Sequence, residues 1–281
     1  MTLDRRGLAG TAGLALATGL LLALLALPVV ALLVEAPLGD VPSLLGDEHV
    51  RKALRVTAIT NGLANVLVLA LGTPAAWMLA TRRFRGRALL VTLVELPLVL
   101  PPAVAGVALL SALGAGGLLG DELQDAGVVL PFSQWAVVVA VAFVASPFYV
   151  RQAIAAFEAV DPTLRDLART LGASRARTFA RVVVPLALPG LVAGWVLAFA
   201  RGMGEFGATI IFAGNVAGET QTLTLAVYDQ LEADFDLALA IGVLLVVVSA
   251  GVLLSYKLLL AWRTSSSSTT SSSRVAPSPS A

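Results

Sequence analysis

The side chains of this sequence that could do chemistry are few, and most are charges set within or beside apolar runs. Arg201 and Glu205 stand four apart, a spacing that brings two side chains to one face of a helix. Opposite charges so placed neutralise one another, and isolated charges in lipid are costly. Gly202, Gly204 and Gly207 surround the pair and permit close helix approach or local unwinding. Glu95 lies a few residues inside another apolar run, where a carboxylate must face protein or water. It reads equally as the partner of a nearby arginine or as a functional group, and it would repel an anion. Thr209 and Asn215 add uncharged hydrogen-bonding groups. Cysteine is absent, which excludes disulfides, iron–sulfur clusters and thiol catalysis. The single histidine, His49, sits in a polar loop, which leaves no basis for a zinc site or a membrane Ser/His protease. No aspartate lies deep in an apolar run, so an intramembrane aspartyl pair is also missing. The lysines, Lys52 and Lys257, do not follow glycine, so the chain has no phosphate-binding loop. No enzyme activity is expected of this chain.

The elements that hold these residues are set by composition. Of 281 residues, 58% are hydrophobic and 13% charged. A soluble domain carries about 25% charged residues, so this chain cannot cover a water-soluble globule and belongs in a bilayer. The net charge of +1 gives no reason to expect a nucleic-acid partner. An apolar run from Leu14 to Leu33 follows Arg5 and Arg6; at about 20 residues it spans the hydrocarbon and exceeds a signal-peptide core. Further apolar stretches lie near 54–80, 88–113, 134–157, 183–212 and 237–262. With backbone groups satisfied internally in lipid, the expected fold is all-α, with about six transmembrane helices. Arginines cluster at 82–87 and 165–181, beside Arg5 and Arg6 and after the last run, on one side of a six-span layout. The positive-inside rule makes that side cytoplasmic, with both termini inside a multi-pass protein of the cytoplasmic membrane. The expected domains are an N-terminal membrane helix at 1–34, a transmembrane domain at 50–262 and a disordered Ser/Thr/Pro tail at 264–281. No internal repeat is evident.

Residues 161–190, DPTLRDLARTLGASRARTFARVVVPLALPG, form the most informative segment. Asp161 then Pro162 reads as a helix cap and first-turn proline. Leu164, Leu167, Ala168 and Leu171 recur at helical spacing, so one face is apolar. Gly172 suits the helix end, and Ser174 can cap a second helix running through Pro185 and Pro189 into the membrane. A short amphipathic helix between two spans either lies on the bilayer surface or inserts into a groove on a partner. Pro97, Pro101 and Pro102 break the hydrogen-bond ladder of the third span, as a kink, a helix end or a bend lining a pathway.

The stretch DLARTLGASRARTFARVVVP resembles the EAA signature of ABC importer permeases. Asp166, Leu167 and Ala168 occupy its start, Gly172 its glycine, and Val182, Val184 and Pro185 its end; Asp166 stands for Glu and Leu167 for the first Ala. FEAV at 157–160 lies at the wrong distance from Gly172 to be the motif. LPLVLPPAVAG near 96–106, with GEFGAT, AGN and TQTL between 204 and 224, resembles molybdate, tungstate and sulfate permeases.

The resemblance implies a type I importer permease fold. It implies a cytoplasmic coupling loop at 158–181, carried by Asp161, Pro162, Leu164, Asp166, Ala168, Gly172, Ala173 and Ser174 and seated in a cleft of a separate ATPase subunit, present in two copies. ATP and Mg would lie on that partner, with no cofactor in this chain. A second permease copy and an extracytoplasmic solute-binding protein are further implied partners, the latter docking on the acidic outer loops 35–52, 114–133 and 213–236. Pro97, Pro101, Pro102, Arg201, Gly204, Glu205 and Thr209 are the candidates for the path or gate. The expected cargo is molybdate or tungstate, with sulfate or thiosulfate as the alternative. A secondary transporter would need ion-coupling residues or inverted repeats and would leave the capped loop unexplained.

Overall fold

The computed structural model describes residues 5–268 apart from 38, 40–42 and 44–45. The described residues form helices and no strands: α1 (Arg5–Glu35), α2 (Glu48–Thr81), α3 (Arg87–Val99), α4 (Pro102–Leu113), α5 (Gly120–Asp125), α6 (Gln134–Glu158), α7 (Pro162–Thr170), α8 (Arg175–Thr178), a π turn (Phe179–Val183) leading into α9 (Val184–Met203), α10 (Gly207–Phe212), α11 (Leu223–Ala233) and α12 (Phe235–Ser268). Five helical stretches among them are long and apolar enough to cross a membrane, and α3 with α4 makes a sixth if the bent pair counts as one span.

That third span is not the single straight helix that its apolar run suggests. It turns by 118° between α3 and α4. Leu100 is extended (ψ 130°), the conformation that a following proline favours, and Pro101 and Pro102 have no N–H to continue the ladder. The stretch 183–212 is also interrupted, at Gly204–Phe206 between α9 and α10. By contrast Pro28, Pro74, Pro147 and Pro189 sit inside helices without ending them.

Two boundaries differ from expectation. α2 begins at Glu48, six residues before its apolar run, because the Asp47 carboxylate accepts the N–H groups of His49 (2.8 Å) and Val50 (3.1 Å). His49, Arg51 and Lys52 are therefore helical rather than in a loop, and Lys52 pairs with Glu48 at 2.6 Å. At the other end α12 runs on to Ser268, since a formed helix extends at small cost per residue. Residues 264–268 of the expected tail are thus helical, and 269–281 lie outside the described residues, as does part of the outer loop 35–52.

The frame is α2 against α6 against α9. Small residues let these backbones approach: Ala136, Ala140, Ala145 and Ala153 on α6 are all buried. Gly72 on α2 meets the Tyr149 ring, and Gly190 and Gly194 on α9 meet Ala156 and Gln152. The Thr73 and Tyr149 hydroxyls share a hydrogen bond of 2.6 Å across the first of these seams. α1 stands apart: none of its apolar stretch is buried, and its main neighbour is α12, where Leu32 approaches Gly242.

Candidate functional site

Residues 161–178 fold locally as their types dictate. Asp161 caps α7 by accepting the Thr163 N–H at 2.8 Å, and that bond, helped by Arg165, holds its carboxyl below the usual aspartate range. The helix stops because Gly172 takes φ +85°, a conformation that side-chain-bearing residues resist, while the Leu171, Gly172 and Ala173 N–H groups close the last turn. Ser174 then caps α8 through the Arg177 N–H at 3.3 Å. Leu164, Leu167 and Leu171 are exposed at 41%, 55% and 80%, so among the described residues nothing covers these leucines of the apolar face of α7. Asp166 is exposed and Ala168 half-buried.

What fastens this loop to the membrane helices is an aromatic cluster that the sequence reading did not single out. Trp77 of α2, Phe157 of α6 and Phe179 of the π turn meet with ring centroids 5.1–6.0 Å apart. Arg165 of α7 places its guanidinium 5.8 Å from the Trp77 ring centre. Glu158, at the end of α6, pairs with Arg87 of α3 at 2.7 Å, and Arg87 also donates to the Leu79 carbonyl.

A second cluster forms where α9 breaks. Glu205 lies beyond the helix end, so it does not share a helical face with Arg201; the two still meet, Oε2 to Nη2, at 2.8 Å. The Glu205 side chain is 1% exposed. Its Oε1 accepts the Ala208 N–H at 2.8 Å and so caps α10, while its carbonyl accepts the Thr224 hydroxyl of α11 at 2.8 Å. One residue thereby ties α9, α10 and α11 together, the first two through its carboxylate and the third through its backbone carbonyl.

α4 closes on this cluster from the other side. A β-carbon at Gly207 would stand 2.5 Å from Pro102, and one at Gly106 would meet Ile211 and Ala208. Gly202 is packed against the Asn61 amide of α2, whereas Gly204 has open space around it. Thr209 is fully buried, with a hydroxyl that finds no partner among the described residues. The fold thus assembles Pro101 and Pro102 at the head of α4 with Arg201, Glu205 and Thr209. Pro97 is separate, in a groove between α2, α3 and α6.

Glu95 pairs with an arginine, Arg151 of α6, at 3.1 Å. Arg151 is 60% exposed although it lies within an apolar helix, a placement that lipid disfavours. An arginine inside an apolar run was the available signal for it. Asn61 and Asn65, buried and hydrogen-bonded to each other within α2, carried a similar signal.

Residues 72–263 match the family described as binding-protein-dependent transport system inner membrane component. The chain is 43% identical over 229 residues to the molybdenum transport system permease protein ModB of Mycobacterium tuberculosis (strain ATCC 25618 / H37Rv), covering 82% of this chain and 87% of that one. It is 36% identical over 212 residues to the sulfate transport system permease protein CysT of Escherichia coli (strain K12), covering 75% and 76%. Among solved structures, a bacterial alginate ABC transporter in complex with an alginate pentasaccharide-bound periplasmic protein has a chain of similar fold, with TM-score 0.73, 20% identity, and coverage of 90% and 93%.

Proposed function

Since this chain belongs to the family of binding-protein-dependent transport system inner membrane components, we propose that it is the permease subunit of an oxyanion importer carrying molybdate or tungstate. The observation that carries the coupling half of this reading is α7: a capped helix with an exposed leucine face, tethered to α2 by Arg165 over Trp77 and followed by a π turn whose Phe179 packs on Trp77 and Phe157. Such a face suits a groove on a separate ATPase subunit, where ATP and Mg would bind. Asp161, Pro162, Leu164, Asp166, Ala168, Gly172, Ala173 and Ser174 form that coupling element. Arg82, Arg165 and Arg175 gather near it, which supports a cytoplasmic assignment for this side and for both termini.

The cargo rests on kinship. The molybdenum permease relative is the more similar of the two and matches more of the chain. Sulfate or thiosulfate is the second reading, favoured by the sulfate permease relative. The Arg201–Glu205 cluster, with Pro101, Pro102, Gly204 and Thr209, is the gate, because it joins a broken α9 to a broken third span. Pro97 takes a supporting place in the bend. Arg151 and Glu95, charged and exposed on the chain alone, belong on a surface facing water or a second copy of the permease. A solute-binding protein would deliver the ion to the opposite loops.

Uptake of labelled molybdate, tungstate and sulfate at low concentration, in cells lacking the gene with and without its restoration, tests the cargo. Gene-dependent loss of molybdate or tungstate uptake alone is expected. Loss of sulfate uptake alone would move the chain to the sulfate branch, and no change for any of the three would remove the oxyanion assignment.

A further inference from the structure

A recess of about 360 Å³ opens between the end of α2, α7 and α8. Arg82, Arg165, Arg169 and Arg175 line it, with Asp166 as the one carboxylate. Among the described residues none of these arginines has an ion-pair partner; Arg165 lies over Trp77 and adds to the field on Asp161. The buried Thr178 forms part of the wall, and its hydroxyl has no hydrogen-bond partner among the described residues. Four guanidinium groups against one carboxylate make a site for an anion with several oxygens, because planar guanidinium forks match phosphate geometry.

A second groove adjoins the first through Arg82. It is apolar, lined by Met78, Phe84 and Leu90 with Arg82 and Arg83 at its edge. Trp77 and the end of α2 at Thr81 put both openings at the level where a membrane helix leaves the hydrocarbon, the usual place for tryptophan and arginine. A charged recess joined to an apolar groove at that level matches an amphiphile. Basic pockets between membrane helices are suited to phosphate headgroups.

We infer that this paired recess and groove hold an anionic phospholipid, its phosphate among the four arginines and an acyl chain along Met78, Phe84 and Leu90. The lipid then braces α7 from the side turned to α2, while Leu164, Leu167 and Leu171 stay exposed on another face. The inference requires only that the chain sits in a bilayer, and it stands or falls independently of the cargo. A free oxyanion would use the recess but not the groove.

The test is native mass spectrometry of the purified full-length chain in a zwitterionic detergent, titrated with phosphatidylglycerol or phosphatidylcholine, with inorganic phosphate as competitor. The wild-type chain is expected to retain one phosphatidylglycerol in preference to phosphatidylcholine. R82Q/R169Q should weaken that preference roughly 25-fold, at about fivefold per arginine near a membrane surface. R169Q alone, on an exposed helix, gives the single step if the double variant folds poorly. R55Q, at the far end of α2, should change nothing, and D166N should strengthen retention. Equal retention of the two lipids by wild type, or an unchanged preference in R169Q, would overturn the proposal. Full displacement by millimolar inorganic phosphate would assign the recess to a free anion instead. Loss of ATPase-subunit binding with lipid preference intact would assign it to the protein partner.

Discussion

Replacing Arg201 by alanine strips a carboxylate that is 1% exposed of its one cationic partner among the described residues. Glu205 would keep a single donor, the Ala208 N–H at 2.8 Å. Breaking a buried pair by removing one partner costs about 3–5 kcal/mol. The remaining backbone bond and the 28% exposure of Arg201 place this case at about 3 kcal/mol. Glu205→Gln is milder: the amide oxygen can still cap α10 and Arg201 reaches solvent, so about 1–2 kcal/mol is expected. In R201A/E205Q no buried charge is left, and its cost should be close to that of Glu205→Gln alone. The double-mutant cycle should therefore give a coupling of about 2–3 kcal/mol, near the top of what contacting pairs show. Unfolding by SDS in mixed micelles, followed by tryptophan fluorescence, measures each corner. Additivity within about 0.5 kcal/mol, or a cost below about 1 kcal/mol for Arg201→Ala, would refute the reasoning, because the pair would then hold nothing together. If R201A/E205Q is stable yet transports nothing, the ion pair acts in the gate and not merely in the fold.

Gly172→Ala has steric room but forces a β-carbon into φ +85°, and should cost roughly 1–2 kcal/mol; it should reduce ATP-coupled uptake more than it reduces expression, and unchanged uptake would remove the turn from the coupling account. Asp161→Ala removes the α7 cap, so amide exchange across Thr163–Arg165 should speed up while exchange in α6 stays as it was, seen by hydrogen exchange with mass spectrometry. The wild-type carboxyl is held below the usual range, so its stabilising contribution is complete above about pH 3.9 and is lost only as pH falls through the lower, folded value; accelerated exchange in α7 already at pH 5 would contradict that. Gly207→Leu must push α10 away from Pro102, and should cost about 1–3 kcal/mol by overpacking in the same SDS assay. A neutral result there would mean that the α4–α10 seam is loose.

Elements governed by neighbouring residues were legible in the sequence, and those governed by distant ones were not. The caps at Asp161 and Ser174 and the turn at Gly172 depend on residues within four positions, so the residue types alone indicate them. The start of α2 was misplaced because apolar runs mark lipid, whereas the helix starts at its cap, Asp47. Pro101 and Pro102 signalled a break, but its 118° turn depends on where α10 and α6 receive α4. Arg201 and Glu205 were paired correctly from spacing on a wrong premise, since the helix ends between them and a bend restores the contact. Arg151 finds Glu95 and Phe157 finds Trp77 only after the chain has crossed the membrane and returned. Period and propensity carry no information about such pairings.

The aromatic joint at the end of α6 has a mechanical consequence. Trp77, Phe157 and Phe179 sit where α2, α6 and the π turn converge, beside α7. The long helices beyond that joint are knit together by alanine and glycine seams that leave little slack. A load applied at α7 therefore acts on a stiff lever with its fulcrum near the rings. α6 has 25 residues, so it is about 37 Å long, and a rotation of roughly 10° about one end would sweep the other by about 6 Å. A push smaller than a side chain at α7 can thus become a displacement as wide as an ion at the far ends of these helices. The compliance that such leverage needs lies in the two broken spans, where proline and glycine leave few hydrogen bonds to stretch.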